Sequence, residues 1–128
     1  MANYGAKYGN VKSVYKNIKM DSQAERRRYI ELELLQKAGK IKDLETQVKF
    51  ILFPKYKDKA GKVRLAITYR ADSKYYEIDT GITIVEDVKS VATAKDKVYC
   101  MKKKMVIKLL MEMELEDGKV YEFREEIR

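Results

Sequence analysis

The chain is 128 residues long, carries 28 Lys+Arg against 20 Asp+Glu for a net charge of +8, and contains one cysteine and no histidine. The missing histidine excludes Ser-His-Asp and Cys-His nucleophile systems and His-ligated zinc, and a lone cysteine excludes an intrachain disulfide or a Cys-rich metal site. Chemistry must then come from Asp, Glu, Lys, Arg, Tyr, Ser or Thr, with a hard, oxygen-liganded cation as the natural helper.

Residues 1–20 hold Lys7, Lys12, Lys16 and Lys19 and no acid, with Tyr4, Tyr8 and Tyr15 interleaved. The first ten residues read as a flexible basic and aromatic arm, and residues 11–128 as a single domain. Such an arm can track a phosphate backbone; a frayed terminus has the same composition. From Val11 the alternation around Lys16-Asn17 predicts a short hairpin.

Ser22 followed by Glu25 is the S-x-x-E pattern of a capping box, and it predicts a helix running to Ala38 and ending at Gly39. Glu25 shares a helix face with Tyr29 and Leu32, which places an acid at a half-buried position. The capping box by itself explains Glu25 completely. Next, Gln47 to Phe53 reads as a strand ended by Pro54, and a loop over Lys57–Lys62 returns the chain into a partner strand, Val63 to Asp72. Tyr75–Ile78 continues or resumes that strand. Asp79-Thr80-Gly81 is a turn, and Ile82–Lys89 a further strand rich in β-branched residues. A second helix is predicted from Thr93, with Asp96 completing a capping box and Val98, Met101, Met105, Val106 and Leu109 as its apolar stripe. Glu116-Asp117-Gly118 is a turn before a last strand holding Val120, Tyr121 and Phe123. The order is hairpin–α–βββ–α–β, of the α/β or α+β class.

Three acids converge in this layout. Asp87 and Lys89 lie two apart on a strand, so their side chains leave one face. Asp72, fifteen positions upstream, ends the neighbouring strand, and Glu25 arrives from the helix. Carboxylates gathered beside a lysine form a hard-oxygen site for a small divalent cation, able to polarise a phosphate and activate a water. The ammonium would stabilise developing negative charge. A buried D-x-K pair at the end of an apolar strand needs a reason, because buried charge is costly unless paired or metal-bound. A surface ion pair where the strand emerges is the other reading of Asp87 and Lys89.

The chain resembles a group of phage and prophage proteins assigned to the PD-(D/E)XK nuclease superfamily. The resemblance rests on Tyr8-Gly9-Asn10, Asp21-Ser22-x-Ala24-Glu25-x-Arg27-x-Tyr29, Ile41–Glu45 with Gln47, Tyr69-x-Ala71-Asp72, Val85–Lys89, and the helix bearing Lys102-Lys103-Lys104. It departs from the pattern at Ala71, Ser73 and Ser90, where Pro, an aromatic and Gly are expected. The resemblance implies a restriction-endonuclease-like core, a central mixed β-sheet flanked by two main helices. It puts Glu25, Asp72, Asp87 and Lys89 in the four active-site positions, with Mg²⁺ held by Glu25, Asp72 and Asp87 and Mn²⁺ able to substitute. The activity it implies is metal-dependent DNA endonuclease chemistry, with branched recombination or replication intermediates, as for Holliday-junction resolvases, among the substrates.

The positive charge agrees with a DNA partner through counterion release. Arg27, Arg28, Lys102 and Lys103 are the candidate phosphate contacts, although a helix spreads three consecutive cations over about 200° and part of each triplet must be solvated surface. Gln47 is a candidate for orienting a metal-bound water and Tyr99 for contacting substrate; a strand-edge amide and a core tyrosine are the plain alternatives. No glycine-rich phosphate loop implies a nucleotide cofactor. No apolar run implies a membrane span or signal peptide, so a cytoplasmic protein of the bacterial host is expected. A homodimer would supply two sites for paired cuts. Two other functions fit the same composition: a non-catalytic nucleic-acid-binding module on this scaffold, and a phage protein that binds a host protein.

Overall fold

The computed structural model describes residues 13–15, 18–20 and 22–128; the arm expected over residues 1–10 lies outside them. Strands β1 (Ser13–Tyr15) and β2 (Ile18–Met20) pair antiparallel, with Val14 opposite Lys19, as the alternation predicts. Helix α1 (Gln23–Lys37) starts where the capping pattern places it: the Ser22 hydroxyl accepts the Glu25 backbone N–H at 3.1 Å. It ends through Gly39 at φ 75°, the left-handed conformation that terminates helices at little cost for glycine.

Strand β3 (Ile41–Phe53) begins six residues earlier than the alternation suggests. A register shift lies between Lys42 and Glu45, with Asp43 at φ 58°, and a bulge of this kind hides the two-residue period. Strands β4 (Tyr56–Lys57) and β5 (Val63–Arg64) form a separate small hairpin. Strand β6 (Ile67–Glu77) does not stop at Asp72; it passes through it, so Asp72 is mid-strand. Strand β7 (Ile82–Lys89) matches expectation. The predicted second helix is divided. Ser90 caps a one-turn helix, α2 (Val91–Ala94), by accepting the Thr93 N–H, and Asp96 caps α3 (Lys97–Asp117) by accepting the Tyr99 N–H. Strand β8 (Val120–Ile127) closes the sheet.

The main sheet runs β3-β6-β7-β8. The first three strands are an antiparallel meander, and α3 carries the chain across to β8, parallel to β7. The fold is therefore mixed α+β, a four-stranded mixed sheet between two main helices. Consecutive residues of β7 leave opposite faces and sort the core. Ile84 packs with Leu32, Ile41 and Tyr75 beneath α1, whereas Val85 packs with Phe50, Tyr69, Ala71, Tyr99, Val106 and Leu110 beneath α3. Full burial of each large apolar side chain stabilises the fold by roughly 1.5–3 kcal/mol.

The apolar stripe expected on the second helix is partly wrong. Val98 and Met101 are 56% and 55% exposed, whereas Val106 is buried as expected, beside Tyr99 and Leu110, and Leu109 packs against the same core. This helix carries apolar residues on several sides, so spacing alone does not select the buried one. No described helix is long and apolar enough to cross a membrane.

Candidate active site

The ladder between β6 and β7 runs from Glu77 opposite Ile82 to Ser73 opposite Glu86 and then stops. The next pair in that register is Asp72 and Asp87, and here side chains take over from the backbone. The Asp72 N–H donates to Asp87 Oδ1 at 2.9 Å, and the Val88 N–H donates to Asp72 Oδ2 at 2.8 Å. Both carboxylates are thus held between the parting strands. Asp87 is fully buried, and its Oδ2 has no hydrogen-bond partner among the described residues. Burial pushes its carboxyl up to about 6, against the pull of the Lys89 ammonium and the Asp72 N–H.

Glu25 comes from the first turn of α1 and is 6% exposed. Its Oε1 accepts a hydrogen bond from Gln47 Nε2 at 2.8 Å. Gln47 stands between Thr46, opposite Ser73, and Val48, opposite Ala71, so it faces Asp72 across the β3–β6 ladder. Its φ of 54° is left-handed, a conformation that costs a side-chain-bearing residue about 1–2 kcal/mol. The strand adopts it at the position where the amide meets Glu25. The capping box alone therefore does not account for Glu25.

On the α3 side, the Lys89 ammonium lies 4.8 Å from the centre of the Tyr99 ring. The Tyr99 hydroxyl donates to Glu125, and Lys103 pairs with the same carboxylate at 3.2 Å. Burial, the bond to Glu125 and the charge of Asp87 all push the Tyr99 hydroxyl up, so it stays protonated. Burial opposes ionisation of Glu125, but Tyr99 and Lys103 outweigh it and hold that carboxyl below its ordinary value. Glu125 lies directly opposite Asp87 in the parallel β7–β8 register. No sequence motif marks it, because that register is set across the whole of α3.

Glu86 is the control for Asp87. It is the adjacent residue, on the opposite face, and equally buried at 1% exposed. Arg28 binds it through Nε at 2.7 Å and an NH2 nitrogen at 3.0 Å, and the Tyr75 hydroxyl donates at 2.7 Å. Glu86 is compensated on both oxygens; among the described residues Asp87 is not. The basic triplets divide in a related way. Arg27 is exposed, whereas Arg28 is turned inward onto Glu86, Lys102 donates to the Thr68 carbonyl at 2.9 Å, and Lys103 pairs with Glu125. Arg28, expected as a candidate phosphate contact, is thus engaged with Glu86.

Among the described residues no three His, Cys, Asp or Glu side chains converge closely enough to make a metal cage by themselves. Mg²⁺ does not require one, because it keeps several waters and binds through one or two carboxylates and a substrate phosphate. The partnerless oxygen of Asp87, the adjacent Asp72 and the hard-oxygen character of both fit such an ion. An open cleft of about 860 Å³, lined by Lys42, Lys74, Tyr76, Thr83 and Lys119, lies at the other end of the sheet. It contains none of these acids.

The chain belongs to the family described as "Protein of unknown function (DUF1064)", whose model matches residues 5–122. No curated protein and no solved structure matches it.

Proposed function

For a member of this family, whose description assigns no activity, we propose metal-dependent cleavage of phosphodiester bonds in DNA. The observation that carries the reading is Asp87: fully buried, one oxygen without a partner among the described residues, beside Lys89, while its neighbour Glu86 is fully paired. A buried carboxylate with an open oxygen is costly unless a cation takes it. The element order α–β–β–β–α–β agrees with the PD-(D/E)XK resemblance, which supplies the nuclease class.

In this reading Asp72 and Asp87 would hold Mg²⁺, with Glu25 the third carboxylate that the resemblance assigns to the ion. When bound, the ion supplies charge for the phosphate oxygens and acidity for a water. Lys89, resting on the Tyr99 ring, offers its ammonium to the phosphate oxygen where negative charge grows and orients the attacking water. Gln47 fixes the Glu25 carboxylate. The site is assembled from paired strands and the helices packed on them, so its parts need little reorganisation during the reaction.

The test is cleavage of four-way junction, flap, single-stranded and linear duplex DNA with and without Mg²⁺ or Mn²⁺. Asp87→Asn is expected to lose metal-dependent cleavage while keeping DNA affinity; equal cleavage by parent and variant refutes the reading. A second reading, a nucleic-acid-binding module without chemistry, is favoured by the backbone N–H groups already seated on Asp72 and Asp87. It predicts DNA binding with no product on any substrate.

A further inference from the structure

The β3–β6 ladder is longer than the sheet it belongs to. It extends from Ile41 opposite Glu77 to Phe53 opposite Ile67, whereas β7 accompanies β6 only as far as Ser73. Beyond the Asp72–Asp87 junction, β3 and β6 continue as a two-stranded ribbon, one face of which, with Phe50 and Tyr69, lies beneath α3. Five residues separate Asp72 from Ile67, about 17 Å of strand, and the β4–β5 hairpin is added at the far end.

That hairpin is built to hold its shape. Tyr56 pairs with Arg64 and Lys57 with Val63. Asp58 Oδ1 accepts the Ala60 and Lys62 N–H groups at 2.9 and 3.0 Å, its Oδ2 accepts Arg64 Nε at 3.0 Å, and Gly61 takes the turn at φ 82°. The one acid between Lys55 and Arg64 is therefore consumed inside the turn. Lys55, Lys57, Lys59 and Lys62 are exposed, and none is ion-paired with a described residue. Beside them stand exposed apolar and aromatic side chains: Tyr56 at 49%, Phe53 at 46% in edge contact with it, and Leu65 at 78%.

A rigid two-stranded arm with four free cations and exposed rings matches a polyanion that offers both phosphates and flat apolar faces. We propose that the β4–β5 hairpin, residues 55–65, is the principal nucleic-acid grip of this protein. Lysines 55, 57, 59 and 62 neutralise phosphates, and Tyr56 and Leu65 lie against sugar or base. A two-stranded ribbon is narrow enough to enter a duplex groove, and aromatic stacking serves a single strand. The ribbon's root is the carboxylate junction, so a strand held by the hairpin passes that junction roughly five nucleotides away at 3.4 Å each. The inference rests on the nuclease reading for the identity of the polyanion. It moves the main contact away from Arg28, Lys102 and Lys103, which are engaged elsewhere.

The experiment measures affinity by fluorescence anisotropy for a labelled 25-base-pair duplex and for one of its strands. It is done in EDTA, so cleavage plays no part, over a series of salt concentrations. Replacing the four hairpin lysines with glutamine is expected to weaken binding at least 100-fold near physiological salt and to reduce the slope of log affinity against log salt on the duplex by about 3.6, at ~0.9 for each of four phosphate contacts. Tyr56→Ser with Leu65→Ser should weaken binding about fivefold or more with the slope unchanged. A charge-matched control replaces Lys37, Lys40, Lys42 and Lys119, at the other end of the sheet, and should change binding far less. Equal losses in the two lysine variants overturn the proposal, as does an unaltered hairpin variant with native circular dichroism. Hairpin-dependent binding to anionic phospholipid vesicles, with no salt-dependent affinity for DNA, overturns it in favour of a membrane surface. Hairpin-dependent DNA binding without cleavage by the parent leaves the grip standing and removes the nuclease reading.

Discussion

Asp72 and Asp87 each accept a backbone N–H from the other's strand, so two carboxylates close the gap at which β6 and β7 separate. The arrangement uses one oxygen of Asp87 and leaves its Oδ2 buried without a described partner. Two strands that simply ended here would have no use for it.

The first prediction concerns that oxygen. Mg²⁺ or Mn²⁺ at about 100 times its dissociation constant stabilises the native state by about 2.7 kcal/mol, which for a chain of this size raises the melting temperature by roughly 10 °C. Differential scanning fluorimetry should show the rise in the parent and not in Asp87→Ala or Asp72→Ala. A shift of the same size in the variants places the ion elsewhere.

The second is a pH dependence of metal-free stability. The Asp87 carboxyl ordinarily titrates near 3.8 and is pushed up to about 6 by burial, so the folded state binds the proton more tightly than the unfolded state. Its contribution is therefore unfavourable once ionised: stability falls as pH rises from about 4 through 6 and is level above. A shift of this size corresponds to on the order of 3 kcal/mol. Asp87→Asn lacks the titration. In urea melts with EDTA, its stability relative to the parent should improve by about that amount between pH 4 and pH 8. A constant difference across the range would contradict the burial argument.

The third concerns Gln47 and its positive φ. Gln47→Gly relieves the left-handed strain and loses one hydrogen bond to Glu25, so stability should stay within about 1 kcal/mol of the parent. Gln47→Val, β-branched at the same φ, should cost more than 2 kcal/mol. Both should reduce cleavage about tenfold or more by releasing Glu25. Full activity in Gln47→Gly would show that the amide does not position that carboxylate.

The fourth tests the contrast between adjacent acids. Arg28→Met leaves the buried Glu86 with only the Tyr75 hydroxyl, and removing one partner of a buried pair costs about 3–5 kcal/mol. A loss below about 1 kcal/mol in equilibrium unfolding would mean that water reaches Glu86 and replaces the guanidinium.

Much of this fold is legible in local signals. Ser22, Glu25 and Gly39 mark both ends of α1, and the β-branched run from Ile82 to Val88 marks β7, because caps and alternation act within a few residues. The start of β3 is not, since the positive φ at Asp43 and Gln47 breaks the alternation that would announce it. Ser90 and Asp96 are both good caps only six positions apart, and nothing local says that the chain uses both. Glu25, Asp72 and Asp87 are visible as candidates from element order. Glu125 and the inward turn of Arg28 depend on tertiary register, which short patterns do not carry. The hairpin lysines are plain in the sequence, but their freedom becomes evident only once Asp58 is seen to be spent on the turn.

The Arg28–Glu86–Tyr75 set also governs the phase of β7. Side chains on a strand alternate, so a slip of one residue would present Asp87 to the guanidinium and turn Glu86 toward Tyr99 on the α3 side. Arg28 from α1 and Tyr75 from β6 grip Glu86 from two separate elements, and both contacts are lost together in the slipped strand. A network on the opposite face of the sheet is thus the index mark against which the carboxylates are aligned.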